Sequence, residues 1–351
     1  MKIRIQELQI GDRLISNVFS NNGLHVLSGD KVLDADDIEK LHLHKIDYVD
    51  IAVRENFELY VETDIPYYDD IIQDVQPKFD NAVDGMKLLF RQVMDEGKID
   101  EKVVENTFEP LIEHFQKEKD VVSLLLSLTS KDNYTYQHCV QVGMISYYIA
   151  RWIGMNEMDA LLIGKAGYLH DIGKGQIDHL LLNKPAKLTT DEYEIIKCHT
   201  IFGHNIITRS LPGQRELGLV ALQHHERLNG SGYPEGITGE QIHPYSQIVA
   251  VADVYSAMIS SRVYQKKKDL LFVLRELHRM SFSELNPRIV HTFIQKMIPH
   301  FIGKRLALVT GEIGDIVMTN PTDPFRPLIR IGEQFIDLSK NHNLIVETIY
   351  I

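Results

Sequence analysis

An apolar run from Ala160-Leu161-Leu162-Ile163 through Tyr168-Leu169 stops at His170-Asp171-Ile172-Gly173-Lys174. Its density of apolar residues is that of a buried helix, so an imidazole and a carboxylate are expected side by side where the helix ends. Related residues recur along the chain. His138 lies upstream in Tyr134-Thr135-Tyr136-Gln137-His138, and His199, the doublet His224-His225 and Asp253 follow. All fall in segments that read as helices or helix ends, with apolar neighbours that draw them towards one core. Imidazole nitrogen and carboxylate oxygen both ligate divalent cations, and a carboxylate can bridge two of them. Five imidazoles and two carboxylates are enough for two metal ions.

The motifs extend beyond the ligands. His224-His225-Glu226-Arg227-Leu228-Asn229-Gly230-Ser231-Gly232-Tyr233-Pro234 is followed by Ala252-Asp253-Val254-Tyr255 and Arg262-Val263-Tyr264. With the Tyr134 and His170 motifs, and in this order, the sequence resembles the HD-GYP family, a branch of the HD-domain metal phosphohydrolases, over roughly residues 125 to 300. The resemblance implies an HD-type helical bundle that hydrolyses cyclic di-GMP to linear pGpG, and onward to GMP, in bacterial second-messenger signalling. It implies that His138, His170 and Asp253 serve one ion and His199, His224 and His225 the other, with Asp171 shared. Ligands of this mixed type suit iron or manganese, with zinc and nickel open.

Lys174 and Arg262 stand at the family positions for binding phosphoryl oxygens, and Lys174 is also placed to protonate the leaving oxygen. The glycine-rich loop with Tyr233 is the family's Gly-Tyr-Pro signature. It is expected to be a wall of the substrate pocket or a contact surface for a GGDEF-type cyclase partner. Three residues depart from the family pattern. Tyr134 replaces a glutamate that helps some members hold a third metal, so two metals are expected. Ser256 stands where an aspartate is usual, and Gln265 where a basic residue is usual. Both are expected to bear on substrate affinity and identity while leaving the metal set untouched. The alternatives to a cyclic di-GMP phosphodiesterase are a non-catalytic cyclic-dinucleotide receptor or interaction scaffold, and a hydrolase of a related dinucleotide such as cyclic GMP-AMP.

At 351 residues the chain is too long for one typical domain. Residues 1–60 read as a small strand-rich regulatory or interaction domain. It has a hairpin turn at Asn21-Asn22-Gly23, a helix capped by Asp34 and running through His44, and a strand over Asp47–Val53. Residues 61–128 carry two helical apolar series, the first through Val75, Phe79, Val83, Met86, Leu89, Phe90 and Val93. They suit a helical linker or packing layer, or a dimerisation bundle that would make the chain a homodimer.

Residues 129–302 are the expected catalytic domain. Within it Leu180–Leu188 reads as a connection, and Thr189 to Glu192 has capping-box spacing for a helix carrying both His199 and His204. Further helices are expected over Leu217–His225, Ser246–Met258 and Leu270–Met280, and from Asn286-Pro287 to Pro299. Residues 303–351 form a small β appendage with strands at Leu306–Val309, Glu312–Met318, Leu328–Ile331 and Leu344–Ile351. The whole is mainly α.

The net charge of −12 argues against a nucleic-acid polymer as partner, because such a surface needs a basic face. It does not exclude a phosphate-bearing small substrate, because cations in a pocket reverse the local sign. No run approaches the length of about 18 apolar residues that a membrane span needs, so a cytoplasmic location is expected. The two cysteines, Cys139 and Cys198, read as free thiols packed on helices.

Overall fold

The computed structural model describes residues 2–5, 8, 10–15, 17–19, 25–29, 31–44, 46, 48–52, 66–116, 134–259, 270–320 and 322–350. The expected turn at Asn21-Asn22-Gly23 lies outside these residues, as do Arg262 and Gln265. The chain divides into two compact units, Met1–Ile71 and Ile72–Ile351.

In the first unit, β1 (Lys2–Arg4) pairs antiparallel with β4 (Tyr48–Asp50), and β2 (Val18–Phe19) with β3 (His25–Leu27). Helix α1 (Ala35–Leu43) starts at Asp34, whose side chain accepts from the Asp37 N–H while Asp37 accepts from the Asp34 N–H. This capping box matches the sequence expectation and satisfies two amide donors that a helix start leaves free. Ile5, Leu14, Val18, Leu27, Leu33, Leu41, Val49 and Ile51 form the core.

The second unit is mainly helical. Helix α2 (Pro66–Glu96) buries Val75, Phe79, Ala82, Val83, Met86, Leu89, Phe90 and Val93, the three- and four-residue spacing of one face. Helices α3 (Glu101–Thr107) and α4 (Glu109–Phe115) follow. These three pack on the pair that begins the site, α5 (Tyr134–Trp152) and α6 (Glu157–Leu169). Phe108 stacks on Tyr168 at 4.6 Å, and the buried Tyr168 hydroxyl donates to the Ala82 carbonyl at 2.6 Å. That bond removes the cost of burying an unpaired phenol.

The site-bearing helices continue as α7 (His179–Leu182), α8 (Thr190–Lys197), α9 (His199–Ser210), α10 (Arg215–Gln223) and α11 (Pro244–Ile259). Two details correct the sequence reading. The stretch expected as a connection contains the short helix α7, started by Asp178, whose side chain accepts from the Leu180 N–H at 2.8 Å. The single helix expected to carry His199 and His204 is broken at Cys198, whose N–H bonds to Ile195 and Ile196 in a tightened last turn. His199 therefore opens a new helix.

Helices α12 (Leu270–Met280) and α13 (Pro287–Met297) complete the bundle. The Asn286 side chain caps α13, with proline at its first position. A five-stranded antiparallel sheet ends the chain, ordered β8 (Gln334–Asp337), β7 (Leu328–Ile331), β6 (Ile313–Met318), β5 (Arg305–Leu308), β9 (Val346–Tyr350). The sequence reading missed β8. It is an edge strand with no buried residue, so no alternation of burial marks it. Among the described residues no helix is long and apolar enough to cross a membrane.

Candidate metal centre

Three of the predicted ligands sit at helix C-termini, where carbonyls lack partners within the helix. His170 follows the last residue of α6, and its Nδ1 lies 2.6 Å from the Gly167 carbonyl. His199 follows the end of α8, with Nδ1 2.6 Å from the Ile196 carbonyl. His224 caps α10, with Nδ1 3.0 Å from the Ala221 carbonyl. A carbonyl only accepts, so each Nδ1 is the donor and each Nε2 carries the lone pair. His138, within α5, is held in the same way from a side chain: its Nδ1 lies 3.0 Å from Ser256 Oγ, whose hydroxyl donates to Gln141 Oε1 at 3.2 Å. Four imidazoles thus turn Nε2 towards one point.

At that point lies Asp171, the residue after α6's cap, 1% exposed. Its Oδ1 is 3.3 Å from His199 Nε2 and 3.9 Å from His224 Nε2. Its Oδ2 is 3.3 Å from His170 Nε2 and 4.0 Å from His138 Nε2, and takes an ion pair from Lys174. Asp253, on α11, places Oδ1 3.1 Å from His138 Nε2 and Oδ2 3.6 Å from His225 Nδ1. Ligand atoms of Asp171, His199, His224 and His225 fall within 4.8 Å of one another, as do those of His138, His170 and Asp171, and Asp171 is common to both groups.

These groups fit metal ions on structural grounds. His199 Nε2 faces His224 Nε2 at 3.4 Å, two lone pairs with no proton assigned between them. Among the described residues, His170 Nε2 and Asp171 Oδ1 are buried without a hydrogen-bond partner. Orphaned buried acceptors are costly, and a cation is what satisfies several at once.

The electrostatics agree. Burial alone would push the Asp171 carboxyl up, but the His170 and Lys174 charges hold it well below the usual carboxylate range. Asp253 is likewise held well below that range, against burial, by its close contact with His138 and by the other imidazoles around it. Burial, then the neighbouring imidazoles, keeps His224 neutral, and burial keeps His225 neutral against the pull of Asp253. Ionised carboxylates and neutral imidazoles are the forms that ligate, and His170, which Asp171 pushes up against burial, joins them by giving up its proton to a cation. Burial would lower the Lys174 ammonium, but Asp171 raises it, so Lys174 keeps its charge.

The remaining expectations divide. Tyr233 is at the mouth, its ring 4.6 Å from that of His225, the least buried imidazole of the set. Arg262 falls outside the described residues. His204 lies away from the cluster, its Nδ1 3.0 Å from the Gly218 carbonyl, and joins α9 to α10. Ser256 corrects a prediction: it was expected to bear on substrate and leave the metal set untouched, yet its hydroxyl holds His138. The reading also missed Glu226, 2% exposed, whose Oε1 accepts from the Glu235 and Gly236 amides at 2.7 and 3.1 Å and folds the glycine-rich loop back on the site. A carboxylate directly after the doublet was its only sequence signal.

The helical fold and its buried histidine-aspartate cluster define an HD domain, and residues 118–289 match the HD domain family. This region of the chain is thus an HD domain of the HD-GYP type. It is 40% identical over 178 residues to a cyclic di-GMP phosphodiesterase of Thermotoga maritima, covering 50% of this chain and 48% of that protein. It is 32% identical over 136 residues to 3'3'-cGAMP-specific phosphodiesterase 3 of Vibrio cholerae, covering 39% of this chain and 29% of that one. The chain spans about half the length of the first of these relatives, and less of the second. Among solved structures it resembles Bd1817, an HDG"Y"P protein from Bdellovibrio bacteriovorus, at TM-score 0.49 and 18% identity, covering 84% of this chain and 97% of that one.

Proposed function

We propose that the chain is a metal-dependent phosphodiesterase that opens cyclic di-GMP to linear pGpG, with residues 129–302 as the catalytic domain. The observation that carries this reading is the convergence of four Nε2 lone pairs on the two oxygens of one buried carboxylate. In this reading His138, His170 and Asp253 hold one ion, His199, His224 and His225 the other, and Asp171 serves both. Such ions, iron or manganese by ligand type, would lower the pKa of a water and neutralise charge on the phosphoryl oxygens.

The chain's own groups do the rest. Nδ1 bonds to fixed acceptors hold the imidazoles in orientation, so little reorganisation is needed when substrate arrives. Lys174 carries its charge at the edge of Asp171, where it binds a phosphoryl oxygen and delivers a proton to the leaving oxygen. Tyr233 lies against His225 and limits access of water to that side. Arg262 is assigned as a second phosphate-binding cation on its motif position. The cyclic GMP-AMP-specific relative makes that dinucleotide the rival substrate.

The test is chromatography of products after metal-loaded protein is incubated with each dinucleotide, beside Asp171→Ala. The expected result is pGpG from the parent, with the variant's rate at least about a thousandfold lower, as is usual when a group central to the reaction is removed. Undiminished turnover by the variant would contradict the assignment.

A further inference from the structure

Next to the metal centre lies a group of side chains that the centre does not use. Helix α8 buries none of its residues. Its positions 193, 194 and 197 are three and four apart and so share a face. Lys197 Nζ lies 5.3 Å from the Tyr193 ring centroid and 5.6 Å from that of Tyr233, and 2.5 Å from Glu194 Oε1. The two rings meet edge to face at 6.4 Å and 77°. Tyr233 in turn lies 6.4 Å from the His199 ring and 4.6 Å from that of His225. The aromatic surface is thus continuous from the metal ligands to Tyr193, which is 47% exposed.

A large ring left half in water, beside a lysine already paired with a carboxylate, is poorly explained by packing. It has the chemistry of a nucleobase site. Bases stack on aromatic side chains whatever their identity, and cations over the rings add to the attraction. Guanine presents the acceptors O6 and N7 on one edge, which an ammonium serves, and N–H donors on the other, which a carboxylate accepts. Adenine carries a donor where guanine has O6, so the ammonium favours guanine.

We infer that Tyr193, Glu194 and Lys197, with Tyr233, form a nucleobase subsite at the mouth of the metal centre that stacks a guanine of the substrate and selects it over adenine. This rests on the phosphodiesterase reading and adds the residues that set its base preference. Tyr193 supplies the stacking face, Lys197 the donor to O6, and Glu194, beside it, the acceptor for the adjacent N1–H.

The experiment compares the parent with Tyr193→Ala, Tyr193→Phe and Lys197→Met, all full-length and metal-loaded. Cyclic di-GMP, cyclic di-AMP and methyl p-nitrophenyl phosphate, a phosphodiester without a purine, are the substrates. Metal content and the Kd for cyclic di-GMP are measured on the same samples. In Tyr193→Ala the kcat/KM for cyclic di-GMP relative to that for methyl p-nitrophenyl phosphate falls about tenfold, mostly through KM, while Tyr193→Phe keeps the parent's ratio. In Lys197→Met the preference for cyclic di-GMP over cyclic di-AMP falls. Unchanged ratios in a parent that cleaves cyclic di-GMP overturn the subsite alone. Equal loss on every substrate in both Tyr193 variants assigns the residue to structure and also overturns it. A parent that cleaves methyl p-nitrophenyl phosphate but neither binds nor cleaves cyclic dinucleotides overturns the subsite together with the functional reading.

Discussion

Ser256 shows how much a single hydroxyl can do in such a site. It accepts from the Nδ1–H of His138 and donates its own O–H to Gln141 Oε1, so the ring's tautomer is held from behind. Partners of this kind tune metal affinity by about 10- to 100-fold. Ser256→Ala is therefore expected to weaken the ion at the His138 and His170 end by about tenfold or more and to leave the other ion in place. Metal titration against a competing chelator reads this, and two equally tight ions in the variant would contradict it. The seven proposed ligands were legible because their residue types are chemically marked and recur in motifs, and His170, Asp171, His199 and His224 stand where helices stop. The part played by Ser256 was not, because residues 118 positions apart meet only in the folded bundle.

At the scale of elements, the site depends on where helices stop. The loop after α6 runs backbone to backbone against the start of α9: a Cβ on Gly173 would lie 1.9 Å from the His199 carbonyl and 2.4 Å from the Gly203 nitrogen. A Cβ on Gly232 would likewise meet the His225 carbonyl at 2.4 Å, which is why the loop beyond the doublet can lie so close to it. No flexible side-chain end can give way at Gly173, so Gly173→Ala is expected to cost about 2–3 kcal/mol and to displace His199. Denaturant unfolding of the metal-free protein checks this, and a change below about 0.5 kcal/mol would refute the close-packing account. Helix starts were legible from local chemistry, at Asp34, Thr189 and Asn286, because a cap acts within one turn. The break at Cys198 was not. It is stabilised by the His199 imidazole on the Ile196 carbonyl and by the neighbouring Gly173 loop, and only the second of these partners is distant in sequence.

For the whole molecule, the helical unit gathers its buried histidines and aspartates from α5, α6, α9, α10 and α11 and the residues just after them, so bound metal would stabilise the fold by mass action. Sharing of Asp171 by two ions has a direct readout in metal stoichiometry. Chain purified without oxygen and loaded with iron or manganese is assayed for metal per polypeptide, beside Asp171→Ala. Two ions in the parent and one or none in the variant are predicted. Two tightly held ions in Asp171→Ala would contradict the claim.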